Sequence, residues 1–375
     1  MQKIRMKSAA GCVAFAMVLA FSAAAALTPT TASAQGPDEA RIALLQAKPK
    51  AYAIIRRAGT SDDPRLRLAA IEAAQHAPDA ALDLARNGLG DENPAVRFGA
   101  LVTVGKLQLV DLAPAALDLL RDRNESVRAA ALFAAKRCGK NVDLSPLGGM
   151  LASGSPGTRA NAAMLVGQLG DRQAIDMLRE MASAPMPRVS PAERSWVRLQ
   201  FAEAMIRLDP NDAEVLGSIR ASIYSNLDDV RVLSIQILGE IRDQSVQGGL
   251  AHIVKRDNPI QVKIAAAHAL VRFGDTQGIP TLLRAARYSE RELRDDLEDY
   301  IDDNGVSGPE AQTIRDLLNN ETERFRAASE VRAQAAVALG SVRSKEASER
   351  LIALLNDPSE VVRVAAASAL LSASR

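Results

Sequence analysis

A basic residue returns along this chain at a nearly fixed interval, each time followed by an apolar, alanine-rich stretch. Near the C-terminus it is Arg363 in DPSEVVRVAAASALL. Earlier copies are DENPAVRFGALVTVG with Arg97, DRNESVRAAALFAA with Arg128, LDDVRVLSIQILGEI with Arg231 and DNPIQVKIAAAHAL with Lys263. Weaker copies centre on Arg67, Arg159, Arg198, Arg294 and Arg332, and the ten anchors stand 30, 31, 31, 39, 33, 32, 31, 38 and 31 residues apart. A unit this short cannot bury an apolar face alone, so a regular series of them predicts a stacked array with one continuous core.

With the anchor as position zero, apolar residues recur at −1, +3, +6, +7 and +10, which fall on one face of a helix at 100° per residue. Lys263 shows it with Val262, Ala266, Ala269, Leu270 and Phe273. Acidic, polar or proline residues precede each anchor, and Gly139, Gly170 and Gly274 follow theirs at +11, where a left-handed residue would end the helix. A second apolar segment, such as QAIDMLREM or ASERLIALL, separates that glycine from the next anchor and supplies a partner helix. Gly105, Gly167, Gly239 and Gly340 all fall at +8, where a missing side chain lets neighbouring helices approach closely. Aromatic residues make up only 3% of the chain against 47% hydrophobic residues, which suits closely spaced helices better than a β-sandwich. The expected fold is all-α, a right-handed α-solenoid or superhelix of about ten hairpins forming an elongated curved rod.

The recurring D-x-x-x-x-V-R-x-x-A-A core resembles the HEAT repeat family, in particular its short-repeat, phycobilisome-lyase-like branch. It is carried by Asp91 with Arg97, Asp122 with Arg128, Asp257 with Lys263 and Asp357 with Arg363. The resemblance implies that these acids and the ten anchors form a structural ladder between hairpins. Ser153, Ala192, Ser225, Tyr288 and Arg326 stand at the acidic position elsewhere, which interrupts it. If the anchor helices line the inner surface, as the resemblance implies, +5 and +9 point off the packed face. Lys106, Arg137, Arg207 and Arg272 at +9, with Phe133, Met164 and His268 at +5, are then candidates for holding an acidic protein or peptide.

The chain begins with Lys3, Arg5 and Lys7, an apolar run to about Leu27, and TASA before Gln35. That is a secretory signal with cleavage expected after Ala34, so the reading is residues 1–34 signal, 35–58 helical cap and 59–375 repeats, acting in the periplasm or outside the cell. Cys12 precedes the apolar run instead of following it, which argues against lipidation there. The first 34 residues hold three of the 46 basic residues and none of the 45 acidic ones, leaving a net charge of −2 and no basic excess for nucleic acid. One cysteine, Cys138, remains; at +10 it reads as a core thiol.

Two spacings are long. The first contains Pro185, Pro187 and Pro191 and stands beside Trp196, the only tryptophan, which either fills the gap of a longer loop or anchors a partner. The second follows a repeat in which Asp295, Asp296, Glu298, Asp299, Asp302 and Asp303 replace core alanines. These carboxylates suit a solvated helix face, a basic partner or calcium. His76, His252 and His268 lie in separate repeats, and no HExxH, GxSxG or P-loop occurs. The expectation is a non-catalytic protein- or peptide-binding scaffold with no cofactor. A lyase-like or chromophore-handling protein and a structural envelope component are the alternatives.

Overall fold

The computed structural model describes residues 37–374 apart from 257, 258 and 304, so the expected signal segment 1–34 and Asp257 lie outside the described residues. It is all-α, with twenty α-helices and no strand among the described residues. Most helix starts carry their own stop on the backbone N–H groups. Pro64, Pro94, Pro156 and Pro191 stand in the first turn, and Asp63, Asn93, Ser155 and Ser190 accept backbone N–H bonds at the caps. Gly139, Gly170 and Gly274 have φ of 77°, 79° and 87°, the left-handed ends that their +11 position predicts.

The first helix, α1 (Pro37–Ala58), is followed by the anchor helix α2 (Pro64–Ala73). Outer and anchor helices then alternate: α3 (Pro78–Leu89) and α4 (Pro94–Leu107), α5 (Ala113–Asp118) and α6 (Glu125–Arg137), α7 (Ser145–Leu151) and α8 (Pro156–Leu169). The series continues with α9 (Ile175–Ser183) and α10 (Pro191–Leu208), α11 (Ala213–Ser222) and α12 (Asp228–Glu240), α13 (Gln247–Lys255) and α14 (Ile260–Arg272). The last elements are α15 (Ile279–Ala285), α16 (Glu290–Asp303), α17 (Pro309–Asn319), α18 (Glu321–Leu339), α19 (Lys345–Leu354) and α20 (Glu360–Ala373).

Anchor helices pack in the order α2, α4, α6, α8, α10, α12, α14, α18, α20, and α20 packs back on α2. The array is therefore a closed ring, not the open rod expected from the repeat count. The two ends of the array meet, and α1 spans the join by packing on α2 and α3 on one side and α19 and α20 on the other. Lys345 and Glu39, 3.8 Å apart, add an ion pair across it.

Neighbouring anchor helices touch through the +8 glycines. A Cβ built on Gly167 would lie 2.8 Å from Ala204 Cα, and one on Gly239 3.3 Å from Ala269 Cα. The equivalent distances at Gly105 to Ala134 Cα and Gly340 to Ala369 Cα are 3.2 and 3.1 Å. In all four pairs the glycine at +8 meets the alanine at +6 of the following helix, so the close approach is a property of the repeat.

The ladder between hairpins is built from guanidinium groups. Arg67 donates from Nε and Nη2 to Asp91 at 2.6 and 2.8 Å, Arg97 to Asp122 at 2.8 and 3.0 Å, and Arg332 to Asp357 at 2.9 and 3.1 Å. Each such aspartate also accepts the N–H two residues on, from Asn93, Asn124 and Ser359. Ser61, Ser153 and Ser225 keep that turn bond with their hydroxyls but supply no charge. Arg128 and Arg363 use an acid three residues back instead, Glu125 at 4.0 Å and Glu360 at 2.9 Å, and Arg231 also pairs with the acid at that position, Asp228, at 3.2 Å. Arg159 has Pro156 behind it and Ala192 ahead; its side chain is buried, with Nε and Nη1 lacking a partner among the described residues. Arg198 is exposed.

Arg294 is not a rung. It is half-exposed, lies 3.7 Å from Glu298 on its own helix and reaches the Leu318 carbonyl at 3.5 Å. Anchor helix α14 packs directly on α18, α15 packs on α18, and Arg332 Nη1 donates to the Tyr288 carbonyl at 2.9 Å. That is the bond Arg97 makes to the Asp91 carbonyl, six residues before it, at 2.7 Å. The hairpin α16–α17 is thus an insertion between α15 and its true partner α18. An anchor helix has a neighbour on each side and must be apolar over most of its girth, whereas Asp295, Asp296, Glu298, Asp299 and Asp302 of α16 are exposed.

Candidate functional site on the inner face

The +5 and +9 positions converge inside the ring. Lys106, near the end of α4, is in electrostatic range of Glu203 and Arg207 on α10 and of Glu240 on α12, helices three and four places further round. Only the interior connects them. Glu72 on α2 is also within range of Lys106, and His268 on α14 lies 3.1 Å from Ser341 Oγ beyond the end of α18.

Most of the cations expected to meet an acidic ligand are already engaged. Arg207 donates to Glu203 at 2.9 Å, and Arg272 pairs with Glu240 at 3.0 Å and donates to the Gly239 carbonyl at 3.1 Å. Arg137 reaches the Gly105 carbonyl at 3.4 Å. Thus +9 arginines on α6 and α14 use the backbone laid open by the +8 glycine of the preceding helix. Phe133 and Met164 are 1% and 4% exposed, so they cannot serve as partner contacts as expected. The Phe133 ring fills the space at Gly105, where a Cβ would come within 2.4 Å of it. Trp196 is half-buried against the core. Cys138 is buried, and burial raises its thiol pKa.

The titrations within the ring are displaced. Burial pushes the Glu72 carboxyl up to about 8 against the pull of Lys106, and burial lowers Lys106 to about 8 against the pull of Glu72. Burial, helped by Arg272, lowers His268 to about 4, so it is neutral near pH 7. Burial also raises Glu240 despite Arg272. Glu72 and Glu240 escaped the sequence reading, although both stand at the +5 and +9 positions that it singled out. Among the described residues no group of three His, Cys, Asp or Glu is arranged to hold a metal ion.

The Glu72–Lys106 pair has a consequence for pH dependence. Between about pH 4.5 and 8 the folded chain retains a proton on Glu72 that the unfolded chain releases, so stability falls as pH rises through that window. Between about pH 8 and 10.5 the folded chain has already released the Lys106 proton, so stability recovers as pH rises. The melting midpoint is expected to dip near pH 8, and the double variant Glu72→Gln/Lys106→Met to lose that dip. A pH-independent difference between the two proteins would show that the pair is not enclosed.

A family profile described as HEAT repeats matches residues 48–136, 220–300 and 322–373, more than half of the chain. No curated protein sequence matches it. Among solved structures the chain is similar to the complex of CpcE and CpcF of phycocyanin lyase from Nostoc sp. PCC7120. The identity is 18% and the TM-score 0.40, over 69% of this chain and 97% of that one. It is also similar to human deoxyhypusine hydroxylase in complex with glycerol, at 16% identity and a TM-score of 0.34, over 90% of this chain and 99% of that one. The unmatched stretch from 137 to 219 contains Arg159 and Arg198, whose hairpins have lost the ladder acid, together with the proline-rich insertion. By the profile match across its repeats and the hairpins stacked on one core, the chain belongs to the HEAT repeat family.

Proposed function

We propose that this protein is an exported, non-catalytic scaffold that holds a protein or peptide partner in the periplasm or outside the cell. The observation that carries the reading is the state of the inner face. Its charged groups are committed to one another, Arg207 to Glu203 within α10 and Arg272 on α14 to Glu240 on α12, and the second pair braces neighbouring hairpins. HEAT arrays present broad rigid surfaces, and binding by many modest contacts follows from that geometry. Export rests on the basic, apolar and small-residue pattern of residues 1–34.

Two measurements test it. Intact mass of protein recovered outside the cytoplasm is expected to correspond to a chain starting at Gln35. Crosslinking with mass spectrometry in the exporting cell is expected to return one defined partner, joined to a contiguous patch of the ring. Retention of the full-length chain in the cytoplasm would overturn the first part, and crosslinks scattered over many proteins the second.

One observation favours a second reading, a lyase-like or other catalytic role. Glu72 and Lys106 titrate near neutrality within an enclosed space, as acid–base catalysts do. Burial displaces both groups and their attraction for each other opposes it, so the displacement arises without chemistry and the scaffold reading stands first.

A further inference from the structure

The ladder has a gap where the ring closes, and the gap opens into a cleft. Arg363 Nη1 donates to the Asp357 and Pro358 carbonyls at 2.8 and 3.0 Å, as Arg97 Nη1 does to those of Asp91 and Glu92 at 2.7 and 3.0 Å. With Nη1 seated in the same way, the Nε–Nη2 edge of Arg97 receives Asp122 from the next hairpin. The hairpin following Arg363 round the ring is α1–α2, whose acidic position is occupied by Ser61. Ser61 keeps the turn bond to the Asp63 N–H and brings no carboxylate. Arg363 Nη2 instead holds Glu360 of its own helix, a side chain 46% exposed, and Nε has no partner among the described residues.

Arg363 and Ser61 line one cleft of about 460 Å³ between α1, the α1–α2 loop and α20. Its volume is in the range that small ligands occupy. Lys50 and Arg57 on α1 add two cations against the carboxylates of Asp62 and Glu360, and Ile54, Leu66 and Val364 make an apolar wall. Planar guanidinium edges match carboxylates in two parallel hydrogen bonds, the arrangement already made at Asp91, Asp122 and Asp357.

We propose that this cleft binds a carboxylate carried on a short aliphatic stem, the carboxylate taking the place of the ladder acid missing at Ser61. Exchange of the exposed Glu360 bond for the ligand would free the Arg363 edge, and the ligand would join the two ends of the ring. The site is independent of export and of the scaffold reading, because it rests on the ladder geometry alone.

The test uses the full chain in carboxylate-free buffer and calorimetric titration with three capped probes. Acetyl-Val-Glu-amide offers a side-chain carboxylate, acetyl-Val-Leu a free carboxyl terminus, and acetyl-Val-Gln-amide neither. At least one acidic probe is expected to bind about tenfold or more tightly than the glutamine probe, and which one it is identifies the source of the carboxylate. Arg363→Gln is expected to lose that preference. Ser61→Asp supplies the missing acid from within the chain, so it should abolish probe binding while raising the melting temperature. Equal affinity for acidic and amide probes, no binding of either acidic probe, or unchanged binding by a folded Ser61→Asp protein would each overturn the proposal.

Discussion

Gly167→Leu is expected to lower stability by about 3 kcal/mol or more, where Gly217 on the outer helix α11 has room for a side chain. Even a methyl group at this position would lie 2.8 Å from Ala204 Cα, 3.0 Å from its Cβ and 3.3 Å from its carbonyl oxygen. Those are two backbone atoms and an alanine Cβ, so no side chain can turn aside and α10 itself must move. Because α10 is gripped by α8 on one side and α12 on the other, that shift propagates into both neighbours. Helix propensity runs the other way by about 1 kcal/mol for glycine to alanine and does not offset the clash of a larger side chain. Gly217 in α11 is the control: nothing lies within 4 Å of its Cβ site, so Gly217→Ala should gain up to about 1 kcal/mol. Urea denaturation of the two variants beside the parent measures both signs. A Gly167→Leu midpoint equal to that of the parent would mean that the helices do not meet at +8.

Most of what repeats was legible before any coordinates. Helix starts at Pro64, Pro94, Pro156 and Pro191, left-handed ends at Gly139, Gly170 and Gly274, and the +8 contacts depend on residues within one or two hairpins of each other. Ring closure was not legible, because it is the sum of many small rotations that no single repeat encodes. The signal that exists is α1, whose residues Leu44, Ala51, Ile55 and Ala58 are all buried where it bridges both ends. Arg294 misled by arithmetic: it stands 31 residues after Lys263, yet the carboxylates around it bar α16 from a place between two helices. On the inner face, helical periodicity separated +5 and +9 from the packed face but could not show that Phe133 would turn into the room left by Gly105. Nor could it show which carboxylate would meet which cation across the ring, since that depends on closure.

The ladder supplies the sharpest single-residue contrast. Asp122→Ser is expected to destabilise the chain by about 3–5 kcal/mol, the range for removing one partner of a buried ion pair. The turn should survive, because Ser61, Ser153 and Ser225 make the same bond to the N–H two residues on. What is lost is the acceptor of Arg97, a residue only 7% exposed, whose Nε–Nη2 edge is left unpaired. Arg128→Ala, at a partly exposed anchor whose acid is 4.0 Å away, should cost only about 1 kcal/mol. Acidity gives an independent reading of the same pair. Burial alone would raise the Asp122 carboxyl, but the Arg97 and Asn124 hydrogen bonds outweigh it and hold it below its ordinary value. The pair's stabilisation is therefore full above about pH 4 and drains away as pH falls below it, so the gap between parent and Asp122→Ser should narrow on acidification. Pro94→Glu in the Asp122→Ser background places an acid three residues before Arg97, the arrangement that serves Arg128 and Arg363, and should recover part of the loss. If Asp122→Ser costs less than about 1 kcal/mol and Pro94→Glu recovers nothing, the rungs do not stitch the hairpins together and packing alone holds the ring.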